Sequence, residues 1–392
     1  MPLSPFKLLC GVGLIAIFSS TISKSPALPL FVSHLGGGPA AVGLIASISA
    51  GTGILFSFPA GILSDRIGRK RMLIFSAIVF ATAPFLYLVV REIWQLALVR
   101  FYHGLATAIF VPVAMAMVSD LFQKGRGEKM GWFSTATLLG RFMAPALGGA
   151  ILGFYATDQA AGFHTLYIVC GIAGLAVFFS LFFLPDLNQS TPKKPGRRPH
   201  WREGVKELLG NRGIMLTCGV EAAILFAYGT FETFLPAHAL MAGLSPYQIG
   251  LCLSSQIITI ALAKPIMGRF SDRHGRPRQI FVGAIAAGIC IAFFAIAGSF
   301  IALLVLSILL GLTISVVTSA SAAHIADLSK DTTQGSAMGI LGSIMDIGHS
   351  LGPLLGGLLA ASFGLPASFL GACTVLATTS LLFFISQARP AA

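Results

Sequence analysis

The chain has 392 residues, of which 55% are hydrophobic and only 10% are charged, and its mean hydropathy is +0.85. This composition excludes a soluble domain and indicates a membrane protein. The formal net charge of +12 is no sign of nucleic-acid binding, because the basic residues lie in loops between apolar segments and form no basic face of a soluble fold. We therefore expect no nucleic-acid partner.

Long apolar segments follow one another along the whole chain. A membrane-spanning helix needs about 20 mostly apolar residues, whereas a strand of a membrane barrel needs about half that number. The segments are long enough for helices, so we predict an all-α membrane protein with twelve transmembrane helices. The predicted spans are residues 8–32, 40–62, 73–90, 94–118, 130–154, 164–184, 214–238, 246–267, 280–298, 300–324, 336–360 and 366–386.

Lys and Arg residues lie mostly before the first span, in the loops that follow even-numbered spans, and after the last span, whereas Arg91 lies in a loop on the opposite face. Since short cytoplasmic loops collect Lys and Arg, we predict that both termini are cytoplasmic and that the protein lies in the cell (inner) membrane. The polar segment 186–212 is rich in Pro, Lys and Arg and is predicted to be a cytoplasmic linker. It separates an N-terminal six-helix bundle, 1–185, from a C-terminal six-helix bundle, 213–392.

The sequence carries no pattern typical of an enzyme or a cofactor site. The six cysteines lie within apolar spans and lack the C-x-x-C spacing of a metal or redox site. No nucleophile–base pair and no cluster of metal ligands stands out. We therefore expect no enzymatic activity, no metal and no cofactor.

The loop between spans 2 and 3 contains GILSDRIGRKR, Gly61 to Arg71, and the loop between spans 8 and 9 contains the similar GRFSDRHGRPR, Gly268 to Arg278. Asp65 and Asp272 in these segments are 207 residues apart. Further pairs at this offset are Pro39 with Pro246, Gly43 with Gly250, and Asp120 with Asp327. The repeat predicts that one six-span half was duplicated in parallel.

Both segments resemble the G-x-x-x-D-R-x-G-R-[KR] signature of the major facilitator superfamily, at the two positions where that family carries it. The resemblance implies two pseudo-symmetric six-helix bundles and a monomer that transports a small molecule by alternating access. It also implies that the segments form a gating latch that helps to hold the outward-facing state, with Asp65 near the start of span 11. The latch residues are Gly61, Asp65, Arg66, Gly68, Arg69, Gly268, Asp272, Arg273, Gly275 and Arg276.

Span 5 contains GRFMAPALGG, Gly140 to Gly149, and span 11 contains GHSLGPLLGG, Gly348 to Gly357. Both resemble the G-x-x-x-G-P-x-x-G-G motif of the drug:proton antiporter branch of the family, although Ala144 replaces one glycine. Small residues three or four apart let helices of opposing halves approach closely, and prolines bend or loosen them; ordinary helix packing is the alternative. The interface residues are Gly140, Pro145, Gly148, Gly149, Gly348, Gly352, Pro353, Gly356 and Gly357.

Span 4 contains RFYHGLATA, which begins at Arg100 and resembles the family's R-x-x-Q-G motif with His103 in place of Gln. In the drug:proton branch the matching Arg is associated with proton coupling, and the resemblance implies that role for Arg100. A buried Arg needs a carboxylate or carbonyl partner. The alternative is therefore an Arg that bridges helices of the first half.

Charged side chains within spans are unfavourable in a bilayer and are functional candidates for that reason. We predict that one of two acids of span 7, Glu221 or Glu232, takes up a proton and thereby releases a cation such as Lys24 or Arg100. Asp346, paired with Arg141, is the alternative proton carrier. The predicted substrate and proton-coupling residues are Lys24, Arg100, Arg141, Glu221, Glu232, Asp346 and His349.

Together the motifs favour proton-coupled antiport that exports a small organic molecule or drug, with the proton gradient as the energy source. An exporter that prefers lipophilic cations is expected to have an acid in span 1, where this chain has Lys24. The alternative is a proton-coupled uptake symporter or facilitator for an organic anion or zwitterion. The substrate cavity is also predicted to use hydroxyl groups of span 10, namely Thr313, Ser315, Thr318, Ser319 and Ser321.

Overall fold

A computed structural model of the protein describes residues 4–122, 124–185, 210–329 and 334–388. Within these residues the chain is helical and has no β-strand. The helices are α1 (Pro5–Ile22), α2 (Ala27–His34), α3 (Pro39–Ile67), α4 (Arg69–Leu86), α5 (Ile93–Leu121), α6 (Arg126–Phe154), α7 (Gln159–Phe182), α8 (Arg212–Met241), α9 (Pro246–His274), α10 (Arg276–Phe294), α11 (Phe300–Leu328), α12 (Gln334–Phe363) and α13 (Leu365–Ala388). A short 3₁₀ turn, Tyr87–Val89, continues α4. The predicted linker falls largely on residues 186–209, which lie outside the described residues.

Twelve helical segments of the described chain are long and apolar enough to cross a membrane. Helices α1 and α2 together form the first, Pro5–His34, and each helix from α3 to α13 contains one more. This confirms the prediction of an all-α membrane protein with twelve spans. Many helices extend beyond the predicted apolar stretch, as α9 does, because charged residues continue the helix at its end.

The first span is broken between α1 and α2. Pro26 has no backbone N–H with which to continue the helical hydrogen bonds, and the Ser25–Pro26 peptide bond is cis. At the break, the backbone N–H of Lys24 donates to the carbonyl oxygen of Thr21 at 3.0 Å, which is a tighter turn than an α-helix makes. Lys24 therefore lies in a turn within the span and not on a regular helix.

The described chain forms two compact units. The first holds the described residues of Met1–Pro192 together with Gly243–Ser254, and the second holds those of Lys193–Ala242 and Ser255–Ala392. The start of α9 thus packs with the first six spans. The predicted bundle boundaries at residues 185 and 213 stay a prediction.

Each unit is built by the same pairing of helices. In the first unit α1 packs against α6 and α7, and α4 packs against α5 and α7; in the second, α8 packs against α12 and α13, and α10 packs against α11 and α13. This correspondence is what a parallel duplication predicts. Large aromatic side chains fill the interiors, and others such as Phe58 and Phe154 are exposed on the outer faces, as expected where helices contact lipid chains.

Candidate functional site

The two latch segments turn from one span into the next at a glycine. Gly68 ends α3 with a φ of 104°, and Gly275 precedes α10 with a φ of 89°. Residues with a Cβ rarely adopt these angles, so glycine permits both turns. Gly61 and Gly268, which precede the turns, face open space and have no such steric requirement.

In the first latch segment, Arg69 joins the ends of three helices. It contacts Asp65 of α3 at 2.6 Å and Asp120 of α5 at 3.1 Å, and it also donates a hydrogen bond to Ser64. Arg66, by contrast, is exposed. These contacts fix the start of α4 against the ends of α3 and α5.

The second latch segment repeats this arrangement. Arg276 contacts Asp272 at 3.3 Å and Asp327 of α11 at 2.9 Å, while Arg273 is exposed. Exposed ion pairs contribute only about 0–1 kcal/mol each, so their main effect is on geometry. Asp120 and Asp327 were not predicted as latch residues, although the repeat offset that relates them was a signal that could have found them.

The GRFMAPALGG segment of α6 packs closely on α1. A Cβ at Gly140 would overlap the carbonyl oxygen of Leu14, and a Cβ at Gly148 would lie 3.2 Å from the Ile22 side chain. Both glycines therefore allow two helices of the same unit to approach, whereas the sequence suggested contact between opposing halves.

Gly149 of the same segment faces α9. A Cβ at Gly149 would overlap the carbonyl oxygen of Pro246, and a Cβ at Gly250 would overlap the carbonyl oxygen of Pro145. The two helices thus meet backbone to backbone, because neither glycine presents a side chain. This contact explains why the start of α9 belongs to the first compact unit.

One turn further along α9, the Ser254 hydroxyl inserts into α6. It donates to the Phe142 carbonyl oxygen at 2.8 Å and accepts from the Ala146 backbone N–H at 3.1 Å. A regular helix joins these two backbone groups directly. The hydroxyl therefore bridges them beside Pro145, whose ring disturbs the helical hydrogen bonds.

The GHSLGPLLGG segment of α12 packs on α8 in the second unit. A Cβ at Gly348 would overlap the carbonyl oxygen of Ala222, and a Cβ at Gly352 would overlap that of Phe226. As in the first copy, these glycines allow close packing within one unit. The remaining predicted interface residues of this copy are buried in α12, namely Pro353, Gly356 and Gly357.

Arg100 of α5 is buried, with 3% of its surface exposed. Its Nη1 donates to the Tyr87 hydroxyl at 3.1 Å, and that hydroxyl lies 3.2 Å from His103 Nδ1. A phenol that accepts from Arg100 gives its own hydrogen to Nδ1, so a neutral His103 carries its hydrogen on Nε2. That Nε2, Arg100 Nε and the Tyr167 hydroxyl have no hydrogen-bond partner in the described part of the chain.

The described residues also place no carboxylate in contact with Arg100. The three predicted cations of the first unit differ in burial. Arg100 is buried, Lys24 is half-buried at the helix break, and Arg141 is exposed on α6. A buried arginine without an acidic partner is unfavourable in a membrane. Arg100 is therefore the strongest candidate in this unit for contact with an anionic group.

Glu232 of α8 is 8% exposed, and its Oε2 lies 3.3 Å from His349 Nε2 of α12. The His349 ring stacks on Tyr228, with ring centroids 5.2 Å apart. A Cβ at Gly229 would lie 2.6 Å from the His349 carbonyl oxygen, so this glycine lets the helices approach closely enough for the contact. Asp346, three residues before His349, is exposed.

Glu221 lies nearer the start of α8 and is 1% exposed. The Ser321 hydroxyl of α11 lies within hydrogen-bonding reach of its carboxylate, and the positive charge of the exposed Lys264 of α9 acts on it as well. Its Oε2 has no hydrogen-bond partner among the described residues. The structure thus keeps the two predicted acids of span 7 buried but places them in separate surroundings.

A cavity of about 450 Å³ lies elsewhere in the second unit, between α9, α10 and α11. Its lining residues are Met267, Phe270, Gly275, Arg278, Gln279, Val282 and Val316. It shares Gly275 with the predicted latch but contains none of the predicted substrate and proton-coupling residues.

Comparison with known proteins supports the same family. The family model described as Major Facilitator Superfamily matches residues 9–250 and 218–392. Multidrug resistance protein MdtG of Escherichia coli (strain SMS-3-5 / SECEC) is 28% identical over 356 residues, which cover 88% of this chain and 85% of that protein. An uncharacterized MFS-type transporter of Methanocaldococcus jannaschii is 24% identical over 373 residues, with coverages of 94% and 90%.

Two solved structures are similar along nearly their whole length. A bacterial homologue of the human lysosomal transporter Spinster, in an inward-facing and unoccupied conformation, has a TM-score of 0.84 at 15% identity, with coverages of 97% and 96%. The nucleoside transporter NupG has a TM-score of 0.80 at 13% identity, with coverages of 99% and 100%. At these identities the structures support the fold alone. With twelve spans, two latch segments at matching positions and a family model that covers both halves, the chain belongs to the Major Facilitator Superfamily and is a small-molecule transporter and not an enzyme.

Proposed function

We propose that the protein exports a small organic molecule in exchange for protons, by alternating access, in the cell (inner) membrane with both termini cytoplasmic. The observation that carries the proposal is the pair of buried carboxylates on α8, Glu221 and Glu232. Buried acids are rare in membranes, and proton relays are among their established uses. The similarity to proteins named multidrug resistance protein MdtG supports export.

Proton binding at Glu232 changes its contact with His349. A deprotonated Glu232 accepts a hydrogen bond from His349 Nε2, and the bond is stronger if the imidazole is charged. A protonated Glu232 loses its charge, so its attraction for α12 falls. Because Gly229 lets α8 and α12 approach at this point, the proton biases how the two helices pack and hence which conformation is populated.

Asp346 is the alternative carrier, since it lies three residues from His349 and is exposed. In either case the proton gradient supplies the energy, and we propose that a monomer without a cofactor suffices. Neutralising each acid separately distinguishes the two carriers, because only the residue that carries the proton links transport to the gradient.

Transport into proteoliposomes under an imposed proton gradient tests the proposal. A lipophilic fluorescent cation and a fluorescent organic anion serve as probes. Antiport predicts that liposomes with an acidic lumen accumulate one of the probes while protons leave, and that Glu232→Gln abolishes the gradient dependence. Glu128→Gln is the control, because this exposed acid lies outside the predicted coupling residues and contacts its near neighbours Lys129 and Trp132. Probe movement in the same direction as the protons contradicts antiport.

An uptake symporter or facilitator for an organic anion or zwitterion is the second candidate, and Arg100 favours it. This arginine is buried without a carboxylate in contact among the described residues, and an anionic substrate would compensate its charge. If the anionic probe moves with the protons, and Arg100→Ala stops that movement while Arg100→Lys partly preserves it, uptake replaces export as the function.

A further inference from the structure

Three buried hydroxyl groups follow one another along α11, on Ser315, Thr318 and Ser321. A spacing of three residues places neighbouring side chains on the same side of a helix, so together they form a strip about 9 Å long. None of the three hydroxyl oxygens has a hydrogen-bond partner among the described residues. We call these residues the hydroxyl strip.

Other hydroxyl groups of the same helix are bonded. Ser307, Thr313 and Ser319 donate to carbonyl oxygens of α11 itself, at 2.7, 2.9 and 2.8 Å. Bonding back to the helix is the local way in which Ser and Thr satisfy their hydroxyl groups. The hydroxyl groups of the strip do not bond back to the helix in this way, so their oxygens are available to a different partner.

The hydroxyl strip leads to Glu221. Helix α8, which carries Glu221, packs against α11, and the Ser321 hydroxyl lies within hydrogen-bonding reach of the Glu221 carboxylate. Neither the Ser321 hydroxyl nor Glu221 Oε2 makes a well-aligned hydrogen bond to the described residues. The hydroxyl strip therefore reaches the buried acid itself.

A fifth buried polar group without a partner is on α9, which meets α11 four residues before the strip begins. Gln256 of α9 is buried, and its Nε2 has no partner in the described part of the chain. Helix α9 comes close at this level because Gly311 of α11 has no side chain: a Cβ there would lie 2.6 Å from the Gln256 carbonyl oxygen. The polar groups therefore extend from the middle of α11 to Glu221.

Size decides what these groups bind. Each buried polar group without a partner costs about 1–3 kcal/mol. For the five groups together, this cost is comparable to the whole free energy of unfolding of a typical protein. We therefore infer that another molecule solvates them. Oxygen ligands of one metal ion lie within about 5 Å of one another, whereas Ser315 and Ser321 are separated by about 9 Å along the helix. Water molecules bond to each other at about 2.8 Å, so roughly three in a row match the strip, and its hydroxyl groups supply the partners that buried water needs.

We propose that Ser315, Thr318 and Ser321 line a short file of water molecules that delivers a proton to Glu221. The proposal rests on the proton coupling proposed above and specifies its route in the second unit. A hydronium at the far end passes one proton to the next water, each water passes one on, and the Glu221 carboxylate becomes a carboxylic acid. No electrons are transferred.

The other ionisable groups around Glu221 are compatible with this route. Lys264 of α9 is exposed and its charge acts on Glu221, and Cys218 lies one turn earlier on α8. His324 lies three residues beyond Ser321 on α11, on the side of the hydroxyl strip. Its ring lies 6.4 Å from that of Phe383, and its Nε2 also has no partner among the described residues. Glu221 is thus the acid at which the strip ends.

Infrared spectroscopy of the full chain in lipid nanodiscs tests the file without a substrate or a gradient. The protein is held at a pH acidic enough to protonate buried acids, and the carbonyl stretch that disappears in Glu221→Gln is assigned to Glu221. On transfer from H₂O to D₂O this band shifts as the proton is replaced. We expect Thr318→Val and Ser321→Ala to slow the shift about tenfold, the effect of roughly one lost hydrogen bond on a barrier.

Matched variants distinguish the loss of a water-binding hydroxyl group from a general loss of packing. Ser319→Ala removes a hydroxyl group of the same helix that already donates to the Ser315 carbonyl oxygen. In this variant the Glu221 proton should exchange at the wild-type rate. Thr318→Ser restores a hydroxyl group and should recover most of the rate. Equal rates in Thr318→Val, Ser321→Ala and Ser319→Ala would overturn the proposal, as would the absence of any band that depends on Glu221.

Sodium provides the last arm of the experiment. If the Glu221 band is lost when NaCl replaces choline chloride at constant pH, an ion occupies the end of the strip and the water file is wrong. The exchange measurement also stands apart from transport. Suppose that exchange is slowed in the strip variants but transport does not depend on the proton gradient. Antiport would then be wrong, and the water file would still be supported.

Discussion

Glu232 and His349, two of the predicted coupling residues, contact each other at 3.3 Å. Each was predictable from the sequence, because a charged or titratable side chain inside an apolar span is unfavourable unless it has a use. Their contact was not predictable, since it depends on how closely α8 packs on α12 at Gly229. Sequence patterns identify which residues are unusual in a membrane but not which of them meet.

Replacing Glu232 by Gln should uncouple transport from the proton gradient. The amide keeps the shape and a hydrogen bond to His349 but cannot gain or lose a charge. Coupling free energies of about 1–3 kcal/mol correspond to factors of about 5–150. We expect gradient-driven accumulation in proteoliposomes to decrease by a factor in that range. Asp346→Asn is the comparison: if it removes the coupling while Glu232→Gln retains it, Asp346 is the carrier.

Tyr87→Phe should destabilise the first unit. The change removes the hydroxyl group that accepts from buried Arg100 and bonds to His103, and a hydrogen bond to a charged group contributes about 1.5–3 kcal/mol. Thermal unfolding in detergent measures the effect. Tyr102→Phe is the control, because its hydroxyl group bonds to Thr82 at an exposed position, and an equal loss in both variants would contradict a special role for Tyr87.

The packing of helices is the scale at which the glycine motifs act. The resemblance to the antiporter motif identified which glycines matter, and most of them do face another backbone. It did not identify the facing helix: Gly140 and Gly148 meet α1, and Gly348 and Gly352 meet α8, each inside its own unit. Glycine spacing specifies that a helix can be approached closely, but the partner depends on tertiary structure.

Gly348→Ala should therefore destabilise the protein more than Gly342→Ala on the same helix. A Cβ at Gly348 would overlap the Ala222 carbonyl oxygen, whereas a Cβ at Gly342 meets open space. Overpacking costs about 1–3 kcal/mol, while an unhindered change from Gly to Ala within a helix favours folding by about 1 kcal/mol. Opposite shifts in unfolding temperature are expected, and equal shifts would mean that the close approach has no energetic effect.

For the whole molecule, hydropathy was sufficient to predict the number of spans, and the repeated latch motif was sufficient to predict two similar halves. Neither hydropathy nor the repeated motif predicted two features of the structure. The break at Lys24 lies inside a continuous apolar stretch, and the start of α9 packs with the first unit although it follows α8 in the chain. Both depend on contacts between segments that are distant in sequence.

The predicted orientation in the membrane can be tested by labelling. In a variant whose six cysteines are replaced, Arg66→Cys and Arg273→Cys should react with a membrane-impermeant thiol reagent only from the cytoplasmic side. Arg91→Cys and Thr157→Cys should react only from outside, because they lie in loops on the opposite face. Labelling of Arg66→Cys in intact cells would reverse the topology inferred from the basic loops.

The Ser254 hydroxyl, which bridges Phe142 and Ala146 in α6, also has a consequence for how the protein is made. The ribosome releases the chain from its N-terminus, and bundles assemble as they emerge. The first bundle nevertheless receives its last helical segment, Gly243–Ser254, only after the linker and the whole of α8 have been synthesised. The backbone contact between Gly149 and α9 therefore forms only after synthesis of the second half has begun.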